Sequence, residues 1–361
     1  SCYIGLLELY KVTHNAAYLD AVQKTVNDIA NTEINVAGSG SAFESWYSGR
    51  KYQTSPTYHT METCVTFTWM QLCDKLLALT GNPFYADQIE KSLYNALMAA
   101  LKDDASQIAK YSPMEGHRCE GEEQCGMHIN CCNANGPRAF ALIPDFAVKK
   151  MGNEVYVNYY GDMSASLENG HNKVLVKQHT TYPVSNVIDI TIDVTKENVF
   201  GLHLRVPVWS AQTVITLNGE ELKDICPGTY HAITRKWKKG DHIQIILDMP
   251  ARLLEQNQMQ AIVRGPIVLA RDSRFNDGFV DETLVVDSED GIVKAEVDSV
   301  PGFAWMRLKV PVTVGTDLEG VGMYRNISFC DFASAGNTWD KQVRYRVWIP
   351  RTLDVKKGHL K

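Results

Sequence analysis

The sequence predicts an α+β multidomain chain: a helical part, arranged as an array or a closed α/α toroid, followed by β-sandwiches. Three observations predict it. Apolar residues keep a helical i, i+3/i+4 rhythm through residues 1–150. A helix-end and cap pattern occurs twice within that part. After Met151-Gly152-Asn153 the apolar period switches to two. The chain therefore divides into a helical segment 1–150, a β-sandwich 151–255 and a second β-sandwich-like region 256–361.

Ile4, Leu7 and Tyr10 mark the first helix, and Tyr18, Val22, Val26 and Ile29 the second. The chain opens at Ser1 in what reads as mid-helix, without an initiator Met, and is expected to be the C-terminal portion of something larger. A stronger helix runs from Thr60 through Val65, Trp69, Leu72, Leu76 and Leu79 and stops at Gly81. Asn82-Pro83 supplies a cap and a first-turn proline for the next, which turns Ile89, Leu93, Leu97 and Leu101 inward. Thr13-His14-Asn15 and Thr80-Gly81-Asn82 begin the same pattern: a helix end, an Asn cap, then Tyr-x-Asp-x-β-branched-x-Lys. A repeated helical hairpin of this kind points to an array or toroid. Between the helices lie polar loops at 31–59 and 103–130. Loops of that length within a compact domain are usually functional.

In the β part, Ile188, Ile190, Ile192 and Val194 alternate with Asp189, Thr191 and Asp193, and Leu202, Leu204 and Val206 with His203 and Arg205. Asn218-Gly219 is a hairpin signal, and Gly240-Asp241 leads into Ile243, Ile245 and Leu247. Further strand-like runs follow at 262–270, 284–286, 305–314 and 343–349. None carries a catalytic cluster, so the β part reads as scaffold.

Composition narrows the function classes. A net charge of −6 argues against a nucleic-acid partner, which would want a basic face. No apolar run is long enough to span a membrane as a helix. Nine cysteines are too few for a disulfide scaffold of this size, and an odd number leaves at least one unpaired. Cys64, Cys119, Cys125, Cys131 and Cys132 lie in or near two polar clusters, which favours metal or catalysis.

Those clusters are Glu62-Thr63-Cys64 and the run from Cys125 to Asn133 that holds the adjacent pair Cys131-Cys132. Adjacent cysteines seldom bridge each other, because the ring is strained. Two thiolates from one turn plus a carboxylate and a thiolate from another would make a closed four-ligand zinc shell. Glu62 and Cys64 can converge only where their helix begins, just after Thr60. His117, Cys119, Cys125 and His128 share the second loop, and Cys125-x-x-His128 can hold zinc as well. On spacing alone, buried thiols and a disulfide remain open beside zinc.

Glu62-Thr63-Cys64 at a helix start, the downstream Tyr111-Ser112-Pro113-Met114-Glu115, and Cys131-Cys132 followed by Asn135-x-x-Arg138 resemble glycoside hydrolase family 127. The resemblance covers most of residues 1–350, including the closing Tyr345-Arg346-Val347-Trp348-Ile349-Pro350. It implies an (α/α)6 barrel followed by β-sandwiches, with about half of the barrel in this chain. The implied activity is zinc-dependent, retaining hydrolysis of β-L-arabinofuranosides or a related plant-glycan sugar, with an oligosaccharide or glycoside as partner.

The resemblance also implies Zn2+ held by Glu62, Cys64, Cys131 and Cys132, with Cys131 as nucleophile. The family's acid/base glutamate stands upstream behind a Gly/Ser run, and here Gly38-Ser39-Gly40-Ser41-Ala42-Phe43-Glu44-Ser45-Trp46 offers Glu44. Tyr111 is expected to line the sugar site, His128 and His59 to contact hydroxyls, and Trp46 to stack on the sugar. Where the family's type member has a further cysteine just ahead of its pair, this chain has Ile129 and Asn130. In the family the other half of the barrel supplies several sugar-binding residues, so this chain is expected to be inactive, or unfolded over its helical part. The competing class is a non-catalytic carbohydrate-binding or scaffold protein with a structural zinc. Thiol dependence favours the cytoplasm, and a bacterial periplasm is compatible because a bound metal protects thiolates.

Overall fold

The computed structural model describes residues 2–55, 58–121, 130–169, 172–298, 302–316 and 322–351. Helices dominate the first part and strands the remainder, in the order that the periodicity predicts. The helices are α1 (Cys2–Thr13), α2 (Ala16–Thr32), the short α3 (Gly49–Tyr52), α4 (Thr63–Thr80), α5 (Pro83–Ser92) and α6 (Cys132–Ala147). Among the described residues no helix is long and apolar enough to cross a membrane.

The two cap patterns fold alike, atom by atom. Asn15 Oδ1 accepts from the Ala17 amide at 3.1 Å, and Asn82 Oδ1 from the Phe84 amide at 3.0 Å. Thr13 Oγ1 donates back to the Leu9 carbonyl at 2.8 Å, and Thr80 Oγ1 to the Leu76 carbonyl at 2.7 Å. The linking residues His14 and Gly81 both take left-handed φ, +54° and +65°. Such a residue ends one helix while the Asn side chain satisfies an orphan amide of the next.

The chain divides into two compact units. One comprises residues 71–90 and 140–249. Its strands form a four-stranded sheet, in the order Thr229–Trp237, Asn198–Val206, Glu154–Val157 and Val148–Met151. A six-stranded sheet is built around Val187–Val194 and Asp241–Ile246. The predicted alternation is real: Ile188, Ile190 and Ile192 are fully buried while Asp189, Thr191 and Asp193 are only partly covered. Asn218 and Gly219, with φ of +52° and +88°, turn Val214–Leu217 into Glu220–Glu221, as a two-residue hairpin requires. Arg205, fully buried, is the electrostatic centre of this unit and bonds both Asp87 and Glu90.

The other unit comprises residues 1–70, 91–139 and 250–361. Its large antiparallel sheet runs from Val285–Val286 through Arg307–Thr316, Gly322–Asp331, Ile267–Asp272, Met259–Arg264, Ala251–Gln256 and Ile292–Val293 to Ser288–Glu289. The segment that follows α5 meets this sheet through one side chain. Asn95 donates to the Pro266 carbonyl at 2.8 Å and accepts from the Val268 amide at 2.8 Å. Around it, Leu93–Leu97 form a π-turn rather than the regular helix that the spacing predicts, and Leu101 ends up in a bridge to Ile108. An inserted π-turn of this kind re-aims a side chain, here Asn95. The 103–121 loop is tied to the same sheet, because Glu115–Gly116 pairs with Tyr345–Arg346. Arg118 is fully buried between the rings of Phe332 and Tyr345 and donates to the carbonyls of Ala99, Phe332 and Ala335. These ties hold the 103–121 loop against the sheet.

Asp331 of this sheet is fully buried and accepts from the backbone amides of Met306 and Ser334. Burial raises its pKa to about 6. A carboxyl that holds its proton more tightly when folded stabilises the fold fully below the unfolded value, near pH 4, and loses that contribution as pH rises through about 6. Thermal melts between pH 4 and 7 should therefore show a decline, on the order of 2 kcal/mol for this group, that is smaller in Asp331→Asn. An unchanged pH slope in the variant would refute the assignment.

Candidate active site and metal centre

Three short segments of one unit lie side by side and set the site. Residues 41–45, 59–63 and 109–112 exchange backbone bonds: Phe43 amide to His59 carbonyl at 3.0 Å, Ser112 amide to Thr60 carbonyl at 3.1 Å, and Thr63 amide to Lys110 carbonyl at 2.9 Å. Glu62 bridges to Tyr111 immediately before α4 begins at Thr63. Met61 is held at φ +57° there, which lets the chain turn from the bridge into the helix. Glu62 and Cys64 can then face one point although they lie two residues apart. Cys132 opens α6, which delivers the adjacent pair to the same point.

Glu62, Cys64, Cys131 and Cys132 offer four donor atoms that all lie within 4.8 Å of one another. Cys64 Sγ is 3.0 Å from Cys131 Sγ and 3.4 Å from Cys132 Sγ. Glu62 Oε1 is 3.7 Å from the first thiol of the pair and 3.8 Å from the second. Zinc bound tetrahedrally to sulfur at about 2.3 Å sets its sulfurs roughly 3.8 Å apart, so a slight spreading of the thiols suits the set to that ion. The protonation energetics agree. Burial, then the neighbouring Glu44 carboxylate, raise the pKa of Glu62. Cys64 is raised strongly, by its bond to Cys132 and by burial, and Cys131 to about 12, by burial and its bond to Cys64. Buried acidic groups packed this closely hold their protons unless a cation replaces them.

Beside the donors stands an ion pair. Lys110 Nζ is 3.1 Å from Glu44 Oε1, with the lysine side chain buried and the carboxylate 42% exposed. Burial by itself would lower the Lys110 pKa, but its bonds to Glu44 and Tyr111 outweigh it and leave the pKa raised. Phe43 and Glu44 form the tip of a two-residue turn between Ala42 and Ser45, which exchange both backbone bonds. Both tip residues have positive φ, +47° and +64°, where Asn or Gly would be relaxed. Strain of this sort collects at functional sites. The Phe43 ring stacks on His59 at 4.5 Å, and His59 meets Tyr111 edge-on at 5.1 Å.

Of the residues singled out from the sequence, Glu62, Cys64, Cys131 and Cys132 meet, and Glu44, His59 and Tyr111 are gathered around Lys110 and Phe43. Trp46 packs against Gly40 and is 47% exposed. His128 and Cys125 lie outside the described residues. Sequence reasoning passed over Lys110, which looks like any loop lysine until its burial is known. Asn135, noticed only as part of a motif, donates to Cys64 Sγ at 3.1 Å.

Helices that lead into largely antiparallel sheets, with a thiol-rich donor set that could hold a metal ion beside a carboxylate–lysine pair, define an α+β class of protein. The sequence model of the GH127 β-L-arabinofuranosidase catalytic domain matches residues 2–145, and that of the GH127 middle domain matches residues 154–249. The chain belongs to glycoside hydrolase family 127. It is 24% identical over 306 residues to a non-reducing end β-L-arabinofuranosidase of Bifidobacterium longum subsp. longum, an alignment covering 76% of this chain and 45% of that protein. The solved structure of a GH127 β-L-arabinofuranosidase from Geobacillus stearothermophilus T6 superposes with a TM-score of 0.80 at 19% identity, over 97% of this chain and 59% of that one. A second GH127 β-arabinofuranosidase structure gives 0.80 at 21% identity, again over 97% and 59%. The chain thus spans about half the length of the curated relative it matches.

Proposed function

We propose that the chain carries the metal-and-nucleophile part of a retaining glycoside hydrolase that acts on β-L-arabinofuranosides or a closely related plant-glycan sugar. The carrying observation is the convergence of Glu62, Cys64, Cys131 and Cys132 beside the Glu44–Lys110 pair. The helices α1 to α6 are read as part of an (α/α)6 barrel and the sheets that follow as β-sandwich modules, supported by the repeated helical hairpin and the likeness to family structures.

Glu62, Cys64, Cys131 and Cys132 would hold a zinc ion. Bound there, zinc would keep the thiols as thiolates at neutral pH, where a free thiol near ~8.5 is mostly protonated. Cys132 is fully buried and cannot meet a substrate, whereas Cys131 is partly open. Cys131 Sγ would attack the anomeric carbon and displace the leaving oxygen, forming a carbon–sulfur bond. Glu44, at its exposed turn tip, would protonate that oxygen and then take a proton from the water that releases the sugar. Two displacements at one carbon retain its configuration. Lys110 would steady Glu44, while Tyr111 and His59 would border the sugar and Trp46 would extend the surface towards the leaving group.

Four protein donors around one ion also describe a purely structural zinc site, which gives the second reading, a non-catalytic carbohydrate-binding or scaffold protein. Glu44→Gln separates the two. Zinc content, measured by elemental analysis on anaerobically purified protein, should stay near that of the unaltered chain. Hydrolysis of unactivated arabinofuranosides should fall by about 10²–10⁴-fold, with partial recovery for a good leaving group plus azide. Full activity in Glu44→Gln would remove it from the mechanism, and absence of both zinc and hydrolysis in the unaltered chain would count against the enzyme reading.

A further inference from the structure

Cys64 and Cys131 are both partly exposed, and their sulfurs are 3.0 Å apart. Burial therefore does not decide which of them is the nucleophile. Hydrogen bonding distinguishes them. Asn135 Nδ2 donates to Cys64 Sγ at 3.1 Å. Among the described residues no N–H group donates to Cys131 Sγ, whose partners are the two other thiols and Glu62.

The orientation of the Asn135 amide is forced. Arg138 Nη1 donates to Asn135 Oδ1 at 2.9 Å. A guanidinium has no acceptor, so the amide oxygen must face Arg138 and the amide nitrogen must face the sulfur. Arg138 is in turn held at 4.7 Å over the ring of Phe67. Cys64 and Phe67 stand three residues apart on α4, and Asn135 and Arg138 three apart on α6, so each pair shares one helix face. The two faces make a clamp of four side chains with the Cys64 sulfur at one end.

We propose that Asn135 is a positioning residue that passivates Cys64, so that Cys131 is the reactive thiolate. This rests on the reading of Cys131 as nucleophile and adds how the chain selects it. An N–H bond to sulfur draws electron density from a lone pair and blocks one line of approach. A charge-assisted bond of this kind is strong enough for a selectivity of about tenfold, equivalent to about 1.4 kcal/mol.

The test is single-hit alkylation of the full, zinc-loaded chain, in which both sulfurs would be thiolates, with limiting iodoacetamide and the modified cysteine identified by peptide mass. The unaltered chain should be modified on Cys131 in preference to Cys64. Asn135→Asp, nearly isosteric but without the donor, and Asn135→Ala should each shift the Cys64:Cys131 ratio towards Cys64 by about tenfold. Arg138→Lys, which frees the amide to turn away, should shift it in the same direction by less. The cobalt(II)-loaded chain gives a second readout that a merely structural role would not move. Loss of the N–H bond raises the sulfur donor level, so the thiolate-to-cobalt absorption should move to longer wavelength in Asn135→Asp. An unchanged ratio and band in a variant that keeps its thermal transition would overturn the role of Asn135 alone. Preference for Cys64 in the unaltered chain would instead overturn Cys131 as nucleophile. If Asn135→Ala does not fold, Asn135→Asp and Arg138→Lys decide between these outcomes.

Discussion

Cys131→Ala is expected to abolish glycoside hydrolysis, with a loss of at least about 10⁴-fold in kcat/KM relative to the unaltered chain. Removal of a nucleophile takes away an interaction made only on the reaction path, so activated substrates should not restore turnover. That separates it from Glu44→Gln, where a better leaving group removes the need for an acid. Cys132→Ser acts earlier. Its thiol is fully buried, close to Glu62 and 3.7 Å from the Lys110 carbonyl. A serine there is a poorer zinc ligand, and zinc per chain should fall sharply together with activity. Full hydrolysis by Cys131→Ala would defeat the covalent mechanism whatever the zinc content.

The largest effect on stability is expected at Arg205. Its guanidinium is fully buried and bonds Asp87, Glu90 and the Asn158 carbonyl. Glu90 also accepts from Tyr182 Oη at 2.7 Å, and Asp87 from the Val208 amide at 3.3 Å. One cation cannot neutralise two buried carboxylates, and burial followed by the repulsion of Glu90 leaves the Asp87 pKa at about 6 despite Arg205. Arg205→Ala leaves both carboxylates without a counter-ion and should cost about 3–5 kcal/mol, read as a fall in the denaturant midpoint of the full chain. The damage should be smaller at pH 5 than at pH 7, because Asp87 then carries its proton. Combined Arg205→Met, Asp87→Leu and Glu90→Leu should be less harmful than the single change, since no charge is stranded. A single variant as stable as the unaltered chain would show that water reaches these carboxylates.

Local rules carried much of the fold. The Asn15 and Asn82 caps, the alternation at 187–194 and the Asn218-Gly219 turn each depend on residues within one turn or one strand, and each is where the sequence puts it. The helix expected to continue through Leu101 broke for a non-local reason. Asn95 bonds to residues 266 and 268, far along the chain, and no window around residue 95 contains that information.

The donor residues were legible by type, because adjacent cysteines and a Glu-x-Cys pair have few uses besides metal binding or catalysis. Glu62, Cys64, Cys131 and Cys132 could thus be named from the sequence as one candidate set, alongside a rival grouping through Cys125 and His128. What the sequence determined by itself was this inventory of chemistry, together with the helical and β periodicities. Tertiary structure alone decided which side chains share an environment: the buried Lys110 under Glu44, Phe43 stacked on His59, Trp46 against Gly40, and Asn135 on Cys64 rather than Cys131. The physical reason is that charge, hydrogen bonding and burial act across space between segments separated by tens of residues, whereas propensity, capping and period act only between neighbours along the chain.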